Sequence, residues 1–539
     1  MAPYLRPLGA VLAGWLLCAP APALAAKTVP PAAVDAVFAT WNCPDSPGCA
    51  VGVMRAGHLV FARGYGRSRV PGGERLSQHS AFLVGSTSKQ FTAATVVRLA
   101  LAGKLSLDDP VLRYLPELGH LADGVTLRQM LHHESGLPDY LGLAALRGEY
   151  PPRLEDGVAG VLTQLAGLDH LNFAPGSQFA YSNTNFLLLG EVVHRVSGLP
   201  FAQAADHLLF RRLGMTHSGF FVDPAHRPAG LVTGYMPGPD GPRAAKPLVY
   251  PGGDGGLATT VEDLARWDAG FYRDRLGSKG RSVVAEMLRP GRLADGRTYD
   301  FASGLFLGHY RGLSTVSHPG GSPGFHAEIL RFPEQRLTVV CLCNLLTINA
   351  AELARRVAGL YLADAFPEPP AHTVSVPSAE LEKLAGFYLH PELGLMEVEA
   401  DPKAGRLVAL VHGVGMPALA PVDSPVGAPI SESRFRSLFT PLPVELVAAT
   451  QDGKPALRLE WPGQPPATFE KLEPATLPAK ALDALAGEYR SAALGVSWRL
   501  ERRGDGLVAV DTIGDRGIAF TRSPHSPRST VTESRHTGR

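Results

Sequence analysis

One segment, residues 82–100, constrains the local fold of this chain more than any other. From Phe91 onward its apolar residues recur at the three- and four-residue spacing of a helix, and Gly85-Ser86 stands where that helix begins. Ser86 and Lys89 are three residues apart, so they share one face of the first turn and the lysine amine can reach the serine hydroxyl. The positive end of the helix dipole favours a developing alkoxide there. The segment therefore predicts a nucleophile, Ser86, with its base, Lys89, beside it.

The chemistry of this pair sets a condition on its surroundings. A serine hydroxyl is a poor nucleophile at neutral pH, and an amine accepts its proton only when burial or a nearby cation lowers the lysine pKa. We therefore expect apolar surroundings for Lys89. Because serine and lysine are both common on helices, the spacing alone is weak evidence, and partners elsewhere in the chain must support it.

The composition indicates an ordinary folded protein without a preference for polyanions. At 539 residues the chain is too long for one hydrophobic core, and about two to four domains are expected. Its 51 lysines and arginines balance 50 aspartates and glutamates. Nucleic acid and anionic membranes are therefore not expected partners, and a small molecule or short peptide fits better.

The first 25 residues have the pattern of an export signal. Arg6 precedes the apolar run Leu8–Cys18, and Ala23-Leu24-Ala25 provides a small-x-small cleavage site. That run is too short to span a bilayer, and no later run reaches the roughly 18 apolar residues that a span needs. We therefore predict a signal peptide over residues 1–25 and a periplasmic or secreted protein with no membrane span.

Of the five cysteines, Cys18 lies in the predicted signal peptide, and the other four fall into two pairs. Cys43 and Cys49 bracket a turn-rich loop that an oxidising compartment could close, so we predict a disulfide between them. Cys341 and Cys343 alternate with leucine in an apolar run and are predicted to be small core residues on one side of a strand.

No metal or cofactor is predicted. The cysteines lack the spacing of zinc ligands, and His132-His133-Glu134 lacks the His-Glu-x-x-His pattern of a metalloprotease.

The patterns over residues 27–366 mix strands with helices. Residues 49–66 predict a hairpin with a turn at Arg55 to Gly57, residues 120–215 are mostly helical, and residues 316–344 predict three antiparallel strands. This order predicts an α+β fold: an antiparallel β-sheet flanked by helices, with an all-helical subdomain.

The rest of the chain contains an internal repeat. Two similar segments begin its copies: Leu381-Glu-Lys-Leu-Ala-Gly-Phe-Tyr and Leu482-Asp-Ala-Leu-Ala-Gly-Glu-Tyr. A repeat of about a hundred residues with short alternating strands predicts antiparallel β-barrel-like modules. The second copy is cut short by a polar tail that we expect to be disordered. The predicted units are a linker at 367–378, a module at 379–472, a partial module at 481–520 and the tail at 521–539.

Three motifs in order carry a family resemblance. Ser86-Thr-Ser-Lys89, Tyr181-Ser-Asn183 and His318-Pro-Gly320 resemble the three active-site elements of the serine β-lactamase and penicillin-binding-protein superfamily. The branch is that of class C β-lactamases, D,D-carboxypeptidases, D-aminopeptidases and related esterases. Phrases at residues 130–140 and 255–267 are also similar to that branch, and the resemblance spans roughly residues 33–362.

The resemblance implies a role for each matched residue. Ser86 is the nucleophile that becomes acylated, and Lys89 and Tyr181 handle its proton, with the general base left open between them. The lysine cation is expected to lower the tyrosine pKa. Asn183 binds the amide carbonyl of the substrate, and the N–H groups of Ser86 and Gly321 form the oxyanion hole.

The third motif departs from the Lys-Thr-Gly of β-lactamases because His318 stands in the place of lysine, two residues before Gly320. A largely neutral imidazole attracts a substrate carboxylate less than a permanent cation does. His-x-Gly resembles the D-aminopeptidases, which also carry two β-modules after the catalytic domain, and several esterases. His318, Gly320 and Gly321 are therefore predicted to bind substrate, with a weaker expectation of carboxylate recognition.

A rival nucleophile is Ser322, in Gly320-Gly-Ser-Pro-Gly324, which matches the Gly-x-Ser-x-Gly elbow of α/β-hydrolases. That elbow needs an N–H on the residue after the serine, and Pro323 has none. We therefore reject it in favour of Ser86.

The sequence thus predicts an exported serine hydrolase that needs no metal or cofactor and acts through an acyl-enzyme on a small ester or a D-amino-acid peptide or amide. One alternative is a weak β-lactamase or D,D-carboxypeptidase. Another is a penicillin-binding sensor or peptidoglycan-binding protein in which Ser86 acylates without turnover. The motifs do not separate these readings, and they leave the oligomeric state open.

Overall fold

The computed structural model of the chain describes residues 29–147, 149, 156–223, 225, 227–238, 240–273, 276–277, 282–367, 377–391, 394–401, 406–411, 428–431, 434–436, 445–460, 466–473, 478–491, 496–503, 506–511 and 517–520. The predicted signal peptide, the predicted tail and most of the predicted linker lie outside these residues. Within them, no helix is long and apolar enough to cross a membrane.

The N-terminal domain mixes strands and helices as the sequence predicts. Its strands are β1 (Cys49–Arg55), β2 (His58–Tyr65), β3 (Phe82–Leu83), β4 (Gly219–Phe220), β5 (Tyr235–Met236), β6 (Arg243–Ala244), β7 (Leu257–Thr259), β8 (Gly291–Arg292), β9 (Thr298–Tyr299), β10 (Phe301–Ala302), β11 (Leu305–Tyr310), β12 (Leu313–Ser317), β13 (Gly320–Ser322), β14 (Phe325–Phe332) and β15 (Leu337–Cys343). Its helices are α1 (Pro31–Val37), α2 (Lys89–Leu101), α3 (Leu127–Leu131), α4 (Tyr140–Leu146), α5 (Gly157–Ala166), α6 (Asn183–Ser197), α7 (Phe201–Ala205), α8 (Arg211–Leu213), α9 (Val261–Arg273), α10 (Val283–Met287) and α11 (Ala350–Tyr361).

One antiparallel sheet organises this domain, in the order β10-β11-β12-β14-β15-β1-β2, with β13 paired to β14. β1 and β2 form the predicted hairpin, and its turn residues, Ala56 and Gly57, have φ of 52° and 77°. Positive φ at both positions is what a two-residue hairpin turn with the strand twist requires. β1 pairs on its other side with β15, so the first and last strands of the domain are neighbours.

Helices cover both faces of the sheet, and side chains along β1 alternate between the two layers. Cys49, Val51 and Val53 belong to a buried cluster with α1 and α11, whereas Ala50 and Met54 belong to a larger cluster with α2 and α9. All five are 0% exposed. Helices α3–α8 occupy the region predicted to be helical, so the α+β prediction is confirmed.

The predicted Cys43–Cys49 disulfide is wrong, because Cys49 is bonded to Cys343. These two residues lie directly opposite each other on β1 and β15, with their Cα atoms 4.0 Å apart. Cys43 is exposed with a free thiol, and Cys341 is buried with a free thiol. Cys343 is therefore not the unpaired core residue that the sequence predicts. The bonded pair is 294 residues apart in sequence, so only the strand pairing brings it together.

The C-terminal region forms two antiparallel sheets. Its strands are β16 (Gly386–His390), β17 (Gly394–Asp401), β18 (Arg406–Val411), β19 (Ala428–Ser431), β20 (Arg434–Arg436), β21 (Glu445–Gln451), β22 (Lys454–Glu460), β23 (Ala467–Lys471), β24 (Gly487–Ser491), β25 (Val496–Arg503), β26 (Gly506–Asp511) and β27 (Gly517–Phe520), and its helices are α12 (Ser378–Leu384) and α13 (Ala479–Leu485). β16–β23 make an eight-stranded sheet, and β24–β27 make a four-stranded one.

The two copies of the internal repeat contain equivalent tyrosine hydrogen bonds. Tyr388 Oη donates a 2.8 Å hydrogen bond to Leu384 O, and Tyr489 Oη donates a 2.8 Å hydrogen bond to Leu485 O. The environments differ, since Tyr388 is 1% exposed in the core of the first sheet and Tyr489 is 47% exposed. The helix-to-strand unit is therefore the same in both copies, while the first has the larger sheet around it.

Candidate active site

The predicted nucleophile lies on a short 3₁₀ turn, Gly85–Ser88, which leads directly into α2. Gly85 has φ of 50°, and a Cβ built there would lie 2.3 Å from Gly321 O. A Cβ on Gly320 would lie 1.8 Å from Val84 O. Both positions need glycine because the turn and β13 are in backbone contact. The two predicted oxyanion-hole residues, Ser86 and Gly321, are therefore held on elements that touch.

Two hydroxyl groups fasten the turn to its neighbours. Thr87 Oγ1 donates a 2.9 Å hydrogen bond to His318 O, just before β13, and Ser88 Oγ accepts a 3.1 Å hydrogen bond from Leu257 N on β7. Both side chains are 0% exposed. The first of these bonds ties the Ser-x-x-Lys element to the His-x-Gly element.

The side chain of Lys89 meets three oxygen atoms. Its Nζ lies 3.2 Å from Ser86 Oγ, 2.8 Å from Asn183 Oδ1 and 2.7 Å from the main-chain oxygen of Asp254. The residue is 0% exposed, as expected from the sequence. Burial lowers the pKa of Lys89 to about 8, while the negative charges of Asp254 and Asp139 oppose that shift.

The two fixed acceptors determine what Lys89 can do. An amide oxygen and a carbonyl oxygen can only accept hydrogen bonds. In the neutral form, the two amine hydrogens therefore go to Asn183 and Asp254, and the nitrogen lone pair is left for Ser86 Oγ. The geometry thus suits a neutral lysine that removes the proton of the Ser86 hydroxyl.

Tyr181 lies in the loop before α6, with its ring centroid 4.9 Å from Lys89 Nζ. Its hydroxyl oxygen is buried and makes no hydrogen bond within the described part of the chain. Burial raises the pKa of Tyr181 well above its usual value, the nearby Ser86 hydroxyl opposes this, and the charges of Asp139 and Asp254 add to it. Burial is therefore the largest effect on the Tyr181 pKa, and its direction is opposite to the lowering that the sequence predicts from the Lys89 cation.

Asn183, the first residue of α6, has hydrogen bonds at both the nitrogen and the oxygen of its side-chain amide. Its Nδ2 donates a 2.8 Å hydrogen bond to Asp139 Oδ2 and its Oδ1 accepts from Lys89. The other oxygen of Asp139, Oδ1, accepts from Leu141 N at the start of α4. One carboxylate thus fixes both a helix terminus and the amide that faces the lysine, and Asn183 retains one Nδ2 hydrogen for a substrate.

Asp254 lies at this site although the sequence analysis does not name it. It is 1% exposed, and its Oδ2 accepts a 2.8 Å hydrogen bond from Tyr140 Oη. Burial raises the pKa of Asp254 to about 6, while the Lys89 charge lowers it. The available signal was a lone carboxylate within Gly252-Gly-Asp-Gly-Gly256.

His318 is buried at 1% exposure, and its Nδ1 lies 2.7 Å from Pro319 O. Since a carbonyl only accepts, the proton of the neutral ring resides on Nδ1 and Nε2 carries a lone pair. Nε2 makes no hydrogen bond among the described residues. Burial, aided by the charge of Lys89, lowers the pKa of His318 to about 3. The third motif therefore presents a neutral acceptor rather than a cation.

The rejected nucleophile, Ser322, lacks this machinery. It lies on β13 at 4% exposure, and its Oγ has no hydrogen-bond partner in the described residues. Among the residues that the structure describes, no base is therefore bonded to Ser322. By contrast, the fold brings together the four predicted catalytic and amide-binding residues: Ser86 on the turn, Lys89 at the start of α2, Tyr181 in the loop before α6 and Asn183 at the start of α6.

Sequence comparisons give relatives with related names. D-aminopeptidase of Gluconobacter oxydans (strain 621H) is 28% identical over 363 residues, which are 67% of this chain and 66% of that protein. A penicillin-binding protein of Bacillus subtilis (strain 168) is 30% identical over 304 residues, which are 53% of this chain and 66% of that protein. The match thus spans slightly less than two thirds of the length of these two relatives.

Solved structures share the fold. The octameric penicillin-binding protein homologue from Pyrococcus abyssi has a TM-score of 0.54 at 23% identity, covering 79% of this chain and 96% of its own. A penicillin binding protein from Bacillus halodurans has a TM-score of 0.51 at 26% identity, covering 61% of this chain and 99% of its own.

The family model described as beta-lactamase matches residues 39–363, which is more than half of the chain. This range contains the sheet, the helical region and all three motifs described above. The chain therefore belongs to the beta-lactamase family.

Proposed function

We propose that the protein is a serine hydrolase that works through an acyl-enzyme on Ser86. The observation that carries this proposal is the contact of Lys89 Nζ with Ser86 Oγ, Asn183 Oδ1 and Asp254 O. It gives the serine a buried amine with its lone pair free for the hydroxyl proton. Membership of the beta-lactamase family supports the same chemistry.

The proposed reaction has two halves. In the first, Ser86 Oγ attacks the substrate carbonyl carbon as its proton passes to Lys89, and the N–H groups of Ser86 and Gly321 stabilise the oxyanion. The carbonyl bond to the leaving group then breaks, and the leaving group takes a proton from Lys89 or Tyr181. In the second half, water takes the place of the leaving group and attacks the ester carbonyl as one of its protons passes to Lys89 or Tyr181. The bond from the carbonyl carbon to Ser86 Oγ then breaks, that proton returns to Ser86 Oγ, and the acid product is released.

We propose a small ester or a D-amino-acid amide or peptide as substrate. The neutral acceptor of His318 supports this choice, because it offers no positive charge to a carboxylate. The relative named D-aminopeptidase supports the D-amino-acid alternative. A carboxylate-bearing β-lactam or D,D-peptide is a second candidate substrate, supported by the relatives named penicillin-binding proteins. If such a substrate acylates Ser86 and the ester is not hydrolysed, the protein is a sensor rather than a hydrolase.

Three substrates separate these possibilities. Steady-state hydrolysis of p-nitrophenyl butyrate, D-alanine p-nitroanilide and a chromogenic cephalosporin is measured for the wild type, Ser86→Ala and Ser322→Ala. We expect turnover of the ester or the anilide, its loss in Ser86→Ala and its retention in Ser322→Ala. Ester cleavage retained by Ser86→Ala refutes the site. One equivalent of bound penicillin without turnover of any substrate favours the sensor.

Export is part of the same proposal. Residues 1–25 have the pattern of a cleavable signal, and the Cys49–Cys343 disulfide suits an oxidising compartment. Expression of the full chain in a Gram-negative host should give a periplasmic or medium fraction whose N-terminus follows Ala25. Full-length protein confined to the cytoplasm contradicts this.

A further inference from the structure

His133 holds the chain on both sides of Tyr181. Its main-chain oxygen accepts a 2.9 Å hydrogen bond from Ala180 N, and its Nδ1 accepts a 3.1 Å hydrogen bond from Ser182 N. Nδ1 also lies 3.1 Å from Asn185 Nδ2 on α6. The residues immediately before and after Tyr181 are thus bonded to one residue that follows α3.

The ring of His133 also packs against the tyrosine itself. The two ring centroids are 4.3 Å apart with an interplanar angle of 33°, and Phe186 and Phe301 pack on the same imidazole at 5.1 Å and 5.0 Å. His133 is 0% exposed. The position of the Tyr181 ring is therefore set by contacts with the imidazole as well as by the two backbone bonds.

The hydrogen bonds define the state of this histidine. Ser182 N can only donate, so Nδ1 must be the accepting nitrogen and the ring proton must be on Nε2. A doubly protonated ring has no lone pair for Ser182, and burial lowers the pKa of His133 well below its usual value. The neutral ring is therefore the form that holds the loop.

The backbone of His133 supports a specialised role. Its φ is 57°, in the left-handed region that non-glycine residues seldom occupy. That conformation lets the carbonyl and the ring of one residue reach the N–H groups of Ala180 and Ser182, on either side of Tyr181. Residues held in such regions are found where the surrounding structure requires them.

We infer that His133 is a positioning residue for Tyr181. It fixes the tyrosine hydroxyl beside Ser86, where that hydroxyl exchanges a proton during acyl transfer. The inference rests on the proposed function, since it requires a reaction at Ser86 in which Tyr181 takes part. It assigns a role to a buried histidine that is not one of the proposed reacting groups, which are Ser86, Lys89 and Tyr181.

Two matched variants separate the parts of this role. His133→Asn keeps an accepting oxygen close to the position of Nδ1 and suits the positive φ, whereas His133→Phe keeps the ring and loses the acceptor. We expect His133→Phe to lower kcat about ten-fold or more, and His133→Asn to lower it about three-fold or less, with KM little changed in both. If His133→Phe gives no folded protein, His133→Gly replaces it, because glycine suits this φ.

A double-mutant cycle with Tyr181→Phe provides the decisive test, with every rate expressed per active site titrated by the burst of p-nitrophenolate. If His133 acts through Tyr181, His133→Phe lowers kcat in the wild-type background and has no further effect in Tyr181→Phe. Equal losses in both backgrounds, an unchanged kcat in His133→Phe, or an unchanged kcat in Tyr181→Phe overturns the inference. Activity that survives in Ser86→Ala refutes the proposed function instead.

Discussion

The main-chain oxygen of Asp254 lies 2.7 Å from Lys89 Nζ, and the carboxyl group of the same aspartate is buried beside the lysine. One residue thus directs a hydrogen of the amine through its backbone and acts on the charge of the amine through its side chain. The first effect survives any substitution of the side chain, while the second depends on the carboxylate.

Asp254→Asn should therefore move the pH dependence without removing the base. Lys89 is active when neutral, so kcat/KM should rise with pH through a pKa of about 8 in the wild type. The Asp254 charge raises the lysine pKa. Removing it should lower that pKa, and the acidic limb of the pH profile should shift to lower pH. The profile is measured with a neutral ester.

Asp108→Asn is the control for this shift, because Asp108 pairs with Arg128 at the surface with 69% of its side chain exposed. Its profile should match the wild type. A limb that stays in place or moves to higher pH in Asp254→Asn contradicts the assigned role of the carboxylate.

Gly85→Ala tests the contact between the nucleophile turn and β13. The new Cβ would lie 2.3 Å from Gly321 O, so β13 must move away from Ser86. Displacement of this kind should lower kcat about a hundred-fold. Gly103→Ala is the matched control, since its φ of 73° is also positive but no atom of the described residues lies within 4 Å of the added Cβ.

Gly103→Ala should cost about 1–2 kcal/mol of unfolding free energy from backbone strain and leave kcat unchanged. Gly85→Ala should cost at least as much stability and lose activity as well. Urea unfolding and ester hydrolysis on both variants check this. An active Gly85→Ala enzyme would show that the proposed oxyanion hole does not depend on this close approach.

Contacts between residues close in sequence can be predicted from helix and turn geometry, and these are the parts of the site that the sequence predicts from spacing alone. Ser86 and Lys89 are one helical turn apart, so their contact follows from the helix itself. The hairpin turn at Ala56-Gly57 is likewise local. The short strand β13 is different, because it is a fourth strand in a stretch where the sequence predicts three. Tyr181 and Asn183 enter the prediction only through the family motif, because nothing in their spacing brings them to Lys89.

Contacts between distant segments could not be predicted in this way. Asp254 reaches Lys89 from the loop before β7, and Asp139 reaches Asn183 from the loop before α4, so neither has a local pattern to mark it. Each is a single carboxylate whose effect depends on burial, which is a property of the folded chain. The disulfide partner of Cys49 was missed for the same reason.

Cys49→Ser should destabilise the domain, whereas Cys43→Ser should not. The disulfide joins β1 to β15 across 294 residues, and loss of such a bridge typically costs about 2–4 kcal/mol. Denaturant unfolding of both variants measures the difference. Alkylation of the unfolded, unreduced protein should label Cys43 and Cys341 but not Cys49 and Cys343. Labelling of Cys343 together with protection of Cys43 would restore the bridge predicted from sequence.

His318→Lys should change which substrates the site prefers. The neutral ring presents a lone pair at Nε2, whereas a lysine in this motif would present a cation to a substrate carboxylate. We expect the ratio of kcat/KM for a carboxylate substrate to that for its methyl ester to rise about ten-fold, which corresponds to ~1.4 kcal/mol. A chromogenic cephalosporin acid and its ester form the matched pair. His318→Gln, which keeps a neutral side chain, should leave the ratio unchanged. An equal rise in His318→Gln would mean that space rather than charge controls carboxylate recognition, because only the lysine variant adds a positive charge.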